Sequence, residues 1–368
     1  MIKENCFSEE WFDQFKRQEA HKRIDKIILE KMIYALHLLE NIKTNGLHFV
    51  FKGGTSLVLL LEEGNRFSID IDIISDTNQV ELEGIFNKVL RTSRFTEWEL
   101  EEHRSYMTGV PKAHYKFLYP TKRQGTGTIL LDILVDKSIY PEVIEKPLVT
   151  KWIEIDEETW ITLPSIDAIT GDKLTAFAPN TIGVPYFKGV DRQPFAMNIC
   201  KQLFDLQQLF NRIDKVQTVA ESFRVLAEQE IAYRKLSEPN VQVTPEAVLF
   251  DTIHTCIILA KRGGGTNDEK IKFSILQKGI RALGSGFLMT GNFRTEDAVS
   301  ASAKVAYLSA KILTHDYSPI TYYEEQKVSE WNIVAPEWTF LNRLKKLPEK
   351  SAFFYWYQTV DLLSQSHL

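Results

Sequence analysis

Residues 52–74 read KGGTSLVLLLEEGNRFSIDIDII, and this stretch decides the fold that we expect. A predicted strand over residues 47–51 leads into it, and Gly53 and Gly54 follow that strand before an apolar run predicted to be helical. Glycine lets the backbone approach a phosphate closely, and the N–H groups that begin a helix favour anions. This part of the sequence therefore suits a phosphate-bearing ligand.

The second part of the stretch carries two carboxylates, Asp70 and Asp72. Strict alternation over residues 67–75 predicts a strand with both acids on one face, close enough to share a divalent ion. Magnesium prefers oxygen ligands and takes one or two carboxylates together with substrate phosphates. A D-x-D pair or a G-G-T-S run alone is weak evidence, because exposed strands often carry acids and such runs are often turns. The ordered combination is much more specific.

Composition bounds the class of protein. The chain has 368 residues, of which 44% are hydrophobic and 25% charged, so we expect a globular protein of about two domains. The formal charge of −5 gives no overall attraction for nucleic acid. The three cysteines are far apart and form no zinc or redox motif. No signal peptide or membrane-length apolar run appears, so we expect a cytoplasmic protein without a membrane partner.

The order of predicted elements indicates an α+β fold. Strand and helix patterns are mixed as far as about residue 190, and the pattern then becomes helical. We predict an α/β domain over residues 1–190 and a helical domain over residues 191–316. Residues 317–368 form an aromatic-rich C-terminal extension to which the sequence assigns no role; its aromatic cluster is predicted to be core.

The segments G-G-T-S at 53–56 and R-F-S-I-D-I-D at 66–72 resemble the signature of the polymerase-β-like nucleotidyltransferase superfamily. More narrowly, they are similar to the AbiEii/AbiGii toxin family, whose members read close to K-G-G-T-x-L and R-F-S-x-D-[IL]-D. The resemblance implies a mixed sheet with flanking helices, followed by a helical C-terminal domain. It also implies Mg²⁺ or Mn²⁺ as cofactor and an NTP as substrate.

Two further segments resemble the same family. Residues 163–178, LPSIDAITGDKLTAFA, are similar to its D-x-x-K-L-x-A helix and have Lys173 in place. The segment KQLFDL is similar to its K-D-x-x-D-L motif and has Asp205 in place. The family has acids where this chain has Thr170 and Gln202. These departures leave the chemistry of the second domain open.

The resemblance implies a metal site with three carboxylates. Asp70 and Asp72 would hold the metal, and an acid on a neighbouring strand would help to deprotonate the attacking hydroxyl. Our candidate is Asp132, because a charge in the apolar predicted strand 128–135 is explained by pairing or metal binding. A solvent-facing acid on an edge strand is the alternative, and Asp136 is the fallback.

Other side chains would bind the nucleotide. Lys173 would neutralise phosphate charge and act in catalysis, and Asp205 would orient it or touch the nucleotide. Without the resemblance, both would be interpreted as exposed helix residues. His103 and His114 lie on predicted strands and are interpreted as structural. The remaining nucleotide contacts are predicted for Gly53, Gly54, Thr55, Ser56, Arg66 and Ser68.

The predicted reaction moves a nucleoside monophosphate from an NTP to a hydroxyl and releases pyrophosphate. The acceptor implied by the resemblance is a tRNA 3′ end, and the implied role is that of a toxin with a cognate antitoxin protein, in a toxin–antitoxin or phage-defence pair. One alternative is transfer, or kinase-like phosphorylation, of a small molecule or protein. A second is a non-catalytic nucleotide-binding protein, which Thr170 and Gln202 would favour.

Overall fold

The computed structural model describes residues 1–17, 25–61, 66, 68–101, 110–121, 125–189, 193–289 and 291–366. It divides into two compact units. Unit 1 comprises Met1–Ser165 and Phe287–Gly291, and unit 2 comprises Ile166–Gly286 and Asn292–Leu368. The domain boundaries expected near residues 190 and 316 stay predictions.

Unit 1 contains the strands that carry the predicted site. Its helices are α1 (Glu9–Arg17), α2 (Lys26–Thr44), α3 (Gly53–Leu60) and α4 (Gln79–Thr92), with a 3-10 helix at Glu4–Phe7. Its strands are β1 (Val50–Lys52), β2 (Ile71–Ile74), β3 (Glu97–Leu100), β4 (Lys112–Pro120), β5 (Thr126–Leu134), β6 (Val143–Pro147) and β7 (Trp160–Pro164).

The main sheet of the described chain has five strands in the order β1-β2-β5-β4-β3. Strands β2 and β5 are parallel, and the other neighbours are antiparallel. Ile71, Ile73, Leu131 and Ile133 are buried on one face, where the burial of apolar side chains stabilises the sheet. Burial also raises the pKa of Tyr115 on β4 to about 12. The predicted mixed-sheet α+β fold is confirmed.

One predicted strand of unit 1 has different bounds in the structure. The strand expected over residues 67–75 is shorter, because β2 begins only at Ile71. The carbonyl oxygen of Asp70 instead accepts a hydrogen bond of 2.6 Å from Thr55 Oγ1, which ties this segment to α3. Phe67 lies outside the described residues. Residues 18–24, between α1 and α2, also lie outside the described part.

Unit 2 is mainly helical, as predicted. Its helices are α5 (Ile166–Ala176), α6 (Ala196–Phe210), α7 (Val216–Ser237), α8 (Pro245–Lys261), α9 (Asn267–Gly286), α10 (Thr295–Leu313) and α11 (Ser351–Gln365). A short hairpin pairs β8 (Phe187–Lys188) with β9 (Gln193–Pro194), and 3-10 helices span Val328–Glu330 and Pro336–Lys346.

The aromatic C-terminal segment belongs to the core of unit 2. Phe353, Phe354, Tyr355 and Trp356 are buried on α11, which packs against α10. This confirms that the cluster is core. Within the residues that the structure describes, no helix has both the length and the apolar character needed to cross a membrane.

Candidate active site

Four polar residues lie side by side across four neighbouring strands of the main sheet. Lys52 on β1 is the register partner of Asp72 on β2, and Asp72 is the partner of Asp132 on β5. Asp132 is in turn the partner of His114 on β4. Because register partners project to the same face of a sheet, these four side chains form one line, which we call the carboxylate row.

Asp132 is held by a histidine. His114 Nδ1 lies 2.7 Å from Asp132 Oδ1, and the two side chains are 16% and 26% exposed. Strand β5 lies between β2 and β4, so it is an interior strand and Asp132 is not a solvent-facing acid on an edge. The charge expected to need a partner therefore has one. His103 lies outside the described residues.

The double glycine packs directly on the predicted site residues. Gly53 has a φ of +78°, and a Cβ atom there would overlap the carboxylate of Asp72. A Cβ at Gly54 would overlap the guanidinium of Arg66 and lie 3.0 Å from Ser68 Oγ. A side chain at either position would thus displace predicted site residues, which is the physical reason for two glycines here. The structure brings these five predicted residues together.

The hydroxyls of the G-G-T-S run are used within the fold. Thr55 donates to the Asp70 carbonyl, and Ser56 Oγ donates to the Gly53 carbonyl at 2.9 Å. Both residues are buried. At the start of α3, the side chain of the N-cap residue Lys52 makes no capping hydrogen bond. The N–H groups that begin a helix lack intrahelical acceptors and favour anions, and the phosphate contacts expected from these two hydroxyls stay a prediction.

Of the two acids predicted to hold the metal, only Asp72 lies in the carboxylate row, and Asp70 lies outside it. Asp70 is exposed and precedes β2, so the pleat of the strand does not hold its side chain beside Asp72. Across the described ranges, no group of three or more His, Cys, Asp and Glu residues is arranged to hold a metal ion. The fallback residue Asp136 follows β5 and accepts a hydrogen bond from the Lys137 N–H at 2.7 Å.

The residues present nevertheless fit a magnesium ion. Asp72 and Asp132 lie on adjacent parallel strands in direct register and offer carboxylate oxygens at neighbouring positions. Magnesium needs only one or two carboxylates when substrate phosphates and waters complete its octahedron. Asp72 and Asp132 would hold the ion, and Asp70 is the additional donor nearest along the chain.

Unit 2 contains the other predicted site residues as a buried cluster. Lys173 Nζ lies 3.0 Å from Asp205 Oδ2, and these side chains are 6% and 2% exposed. Lys173 also donates to Gln202 Oε1 at 3.1 Å. The amide of Gln202 thus accepts a hydrogen bond where the family has an acid. We call these three residues the buried cluster.

The second departure from the family motif also has a local explanation. Thr170 is fully buried in α5, and its hydroxyl donates to the Ile166 carbonyl at 2.6 Å. An acid at this position would bury a charge, whereas threonine satisfies its polar group within its own helix. Asp167 on the same helix accepts hydrogen bonds from the N–H groups of Asp214 and Lys215 at 3.0 and 2.9 Å.

Two members of the carboxylate row were not among the predicted site residues. In the sequence, Lys52 is only the residue before the double glycine, and the prediction for His114 is a structural role. Their signal is the strand register, which pairs Lys52 with Asp72 and His114 with Asp132. A histidine and an acid on separate predicted strands could have suggested such a pair, but the sequence does not state which residues are opposite.

Comparison with known proteins supports the same family. No curated protein matches the chain. The family described as nucleotidyl transferase AbiEii toxin, type IV toxin–antitoxin system, matches residues 37–257, which include both the carboxylate row and the buried cluster. The chain therefore belongs to the AbiEii family of nucleotidyltransferase toxins of type IV toxin–antitoxin systems.

Proposed function

We propose that this chain transfers a nucleoside monophosphate from an NTP to an acceptor hydroxyl in a reaction that depends on Mg²⁺ or Mn²⁺. The observation that carries the proposal is the pair Asp72 and Asp132, in direct register on parallel strands, with Gly53 packed against Asp72. Metal-binding carboxylates beside a phosphate-binding turn are what an in-line phosphoryl displacement needs.

The proposed chemistry forms one bond and breaks one. The acceptor oxygen attacks the α-phosphorus, the bond from that phosphorus to the β-phosphate bridge oxygen breaks, and pyrophosphate leaves. The metal, when bound, neutralises charge on the transferred group. Asp132, oriented by His114, takes the proton of the acceptor hydroxyl.

The nucleotide phosphates have their own proposed contacts. The backbone N–H groups at the start of α3 favour anions. The guanidinium of Arg66 lies against Gly54, near the start of this helix. For Lys173, the proposed role in neutralising phosphate competes with its ion pair to Asp205. Measurements on both members of that pair separate the two roles.

The proposed acceptor is the 3′ end of a tRNA, and the proposed setting is the cytoplasm of a bacterium. The family description supports a toxin role with an antitoxin partner, and phage defence is the proposed benefit. The chemistry and the acceptor are separate claims, because the same site could label a small molecule or a protein.

The test is incorporation of each α-labelled NTP, with magnesium, into total bacterial RNA by the wild type and by Asp72→Ala. Labelled bands of tRNA size that disappear in the variant would support the proposal and name the preferred base. Labelling of protein or of a small molecule would contradict the acceptor but keep the transfer. Nucleotide binding without any transfer would contradict the catalytic proposal.

A further inference from the structure

The 3-10 helix Pro336–Lys346 has one row of buried leucines and a second, more polar row that carries two cations. Its side chains repeat every three residues, so residues three apart are eclipsed. Leu341 and Leu344 are buried on one row. Phe340, Arg343 and Lys346 occupy another row at the same spacing, with Phe340 half-buried and the two cations exposed. The two leucines thus pack into the core, and the two cations are exposed one above the other along the helix axis.

This polar row forms one wall of a pocket in unit 2. The pocket has a volume of about 390 Å³, and Lys261 and Arg262 at the end of α8 form the opposite wall. Four cationic residues line this space together with Ala260, Phe340 and Leu344, and none of the described residues that line it is an acid. We call it the cationic pocket. It stands out because the whole chain has a net charge of −5.

The partners of these cations show which charges are already compensated. Lys261 Nζ lies 2.6 Å from Glu269 Oε1, and an Arg262 nitrogen lies 2.9 Å from Glu296 Oε1. For Arg343 and Lys346, by contrast, no carboxylate of the described chain lies within 4.0 Å. The exposed wall of the pocket thus keeps its positive charge.

Two neighbouring lysines, Lys345 and Lys350, form hydrogen bonds within the fold. Lys345 donates to the Trp331 carbonyl and to Asn332 Oδ1 at 2.8 and 2.7 Å. Lys350 donates to two backbone carbonyls at 2.7 and 2.6 Å. The chain therefore uses some cations of this segment to hold the backbone and leaves Arg343 and Lys346 turned toward the pocket.

The end of α8 does not oppose an anion strongly. A helix C-terminus carries partial negative charge on its last carbonyls. Here the Leu259 carbonyl accepts from the Arg262 N–H at 3.1 Å, and the Lys261 carbonyl accepts from the Gly264 N–H at 2.9 Å. Lys261 Nζ also lies 5.3 Å from the centroid of the Phe340 ring. Both walls thus present cations or an aromatic ring.

We propose that the cationic pocket binds phosphate groups of a single-stranded nucleic acid. Arg343 offers a planar fork for phosphate oxygens, and Lys346 stands about 6 Å further along the 3-10 axis, from the rise of about 2 Å per residue. Phe340, which is half-buried and lines the pocket, offers an apolar contact for a base. A line of cations with an aromatic ring suits a phosphate chain better than a single small anion.

The proposed site is separate from the proposed chemistry. Every residue of the pocket wall lies beyond residue 257, where the match to the family ends. Binding there would hold a nucleic-acid strand whether or not a metal or an NTP is present. The proposed pocket would thus be a nucleic-acid contact outside the matched region, formed by the end of α8 and by the 3-10 helix Pro336–Lys346.

The test measures binding of fluorescein-labelled 20-nucleotide RNA, and of DNA of the same sequence, to the full chain in EDTA without NTP. The pocket variant is Arg343→Glu with Lys346→Glu. Its matched control is Lys278→Glu with Arg281→Glu, which makes the same charge change at exposed positions three residues apart on α9. Urea unfolding verifies that both double variants fold. If the charge-reversal variant of the pocket does not fold, Arg343→Gln with Lys346→Gln takes its place.

We expect the pocket variant to bind at least roughly 10-fold more weakly, and the slope of log affinity against log salt to fall by about 1.4 for two lost contacts. The control should change binding by less than about 3-fold. Weaker binding of both the RNA and the DNA by the pocket variant, or of the RNA alone, supports the proposal. Equal weakening in both variants, or no binding by the wild type at low salt, overturns it. If the pocket variant binds RNA as the wild type does and the wild type still labels RNA, the pocket proposal fails and the proposed transfer reaction stands.

Discussion

The carboxylate row of unit 1 and the buried cluster of unit 2 both pair an acid with a nitrogen base, but they differ in access to solvent. In the row, Asp132 is 26% and His114 16% exposed. In the cluster, Lys173 is 6% and Asp205 2% exposed. The row can therefore exchange its contacts for those of a ligand, whereas the cluster would have to open first.

This difference predicts different consequences of substitution. Removing one member of a buried ion pair leaves an uncompensated charge at low dielectric, which destabilises the fold. Removing a partly exposed acid leaves its surroundings hydrated and costs little stability. The same Asp→Asn change should thus lower mainly activity in the row and mainly stability in the cluster.

The largest effects are expected from Asp72→Asn and Asp205→Asn. We expect Asp72→Asn to lower transfer by roughly 10³-fold, about 4 kcal/mol in the barrier, with little change in stability. We expect Asp205→Asn to lower the free energy of unfolding by about 3 kcal/mol, because Lys173 stays buried without its counterion. NTP incorporation and urea unfolding of both variants provide the comparison.

A double variant distinguishes a structural from a catalytic role of Lys173. Lys173→Met with Asp205→Leu replaces the buried pair by apolar side chains, which should recover much of the stability lost in Asp205→Asn. A stable double variant with wild-type transfer would assign Lys173 to the fold. A stable double variant without transfer would support its proposed contact with phosphate, and would show that the buried cluster also takes part in the reaction.

A smaller effect is expected from Gly53→Ala, which tests how tightly the double glycine holds the row. The added Cβ would overlap the Asp72 carboxylate and displace it, so we expect transfer to fall by about 100-fold. Gly46→Ala is the matched control, because Gly46 also has a positive φ of +98° but no atom within 4 Å of its Cβ position.

Both glycine variants should lose about 1 kcal/mol of stability from backbone strain, as measured by urea unfolding. Only Gly53→Ala should lose transfer beyond that. Equal activity of the two variants would show that the contact between Gly53 and Asp72 does not position the carboxylate.

The sequence could predict the local parts of the site and not their pairing. Gly53, Gly54 and Asp72 are close in the chain, and their order predicts a turn, a helix and a strand without tertiary information. The pairing of Asp132 with His114 depends on strand register over 18 residues, which alternation alone does not fix. The order of the elements predicted the α+β class correctly, whereas the mixed sheet was implied by the resemblance to the family.

The buried cluster shows the opposite limit. From the sequence alone, Lys173 and Asp205 would be interpreted as exposed charges on helices, because charged residues are seldom buried. Their burial as an ion pair follows from the packing of α5 against α6, which no local pattern encodes. The acceptor role of Gln202 is likewise visible only once Lys173 is seen beside it.

A still smaller effect is expected at His114, which we treat as a positioning residue for Asp132. His114→Leu removes the partner at 2.7 Å, and we expect the Mg²⁺ concentration for half-maximal transfer to rise by about 10-fold. His114→Gln keeps an N–H donor and should recover part of this loss. If both variants lowered the rate at saturating Mg²⁺ without changing that concentration, His114 would act on the reaction by another route.

The smallest effect concerns a second buried lysine, whose acid partner is partly exposed. Lys311 Nζ, 1% exposed, lies 2.6 Å from Asp316 Oδ2, which is 31% exposed. Burial raises the pKa of Asp316, but hydrogen bonds from Lys311 and Ser318 outweigh it, so the pKa is below its usual value. A carboxyl with a depressed folded pKa stabilises the fold above its unfolded pKa, near 3.9, and loses that contribution as the pH falls through the folded value.

We therefore expect Asp316→Asn to lower the free energy of unfolding by about 1 kcal/mol at pH 7, a value reduced by solvent screening. The difference from wild type should shrink as the pH is lowered below about 4, because protonated Asp316 then resembles asparagine. Asp361→Asn on the exposed side of α11 is the control, with an expected change below about 0.5 kcal/mol. If the difference in free energy of unfolding between Asp316→Asn and wild type stayed constant from pH 7 to pH 3, the negative charge of Asp316 would not be what stabilises the buried Lys311. The degree of burial would then not be enough to predict which acid–base pairs stabilise the fold.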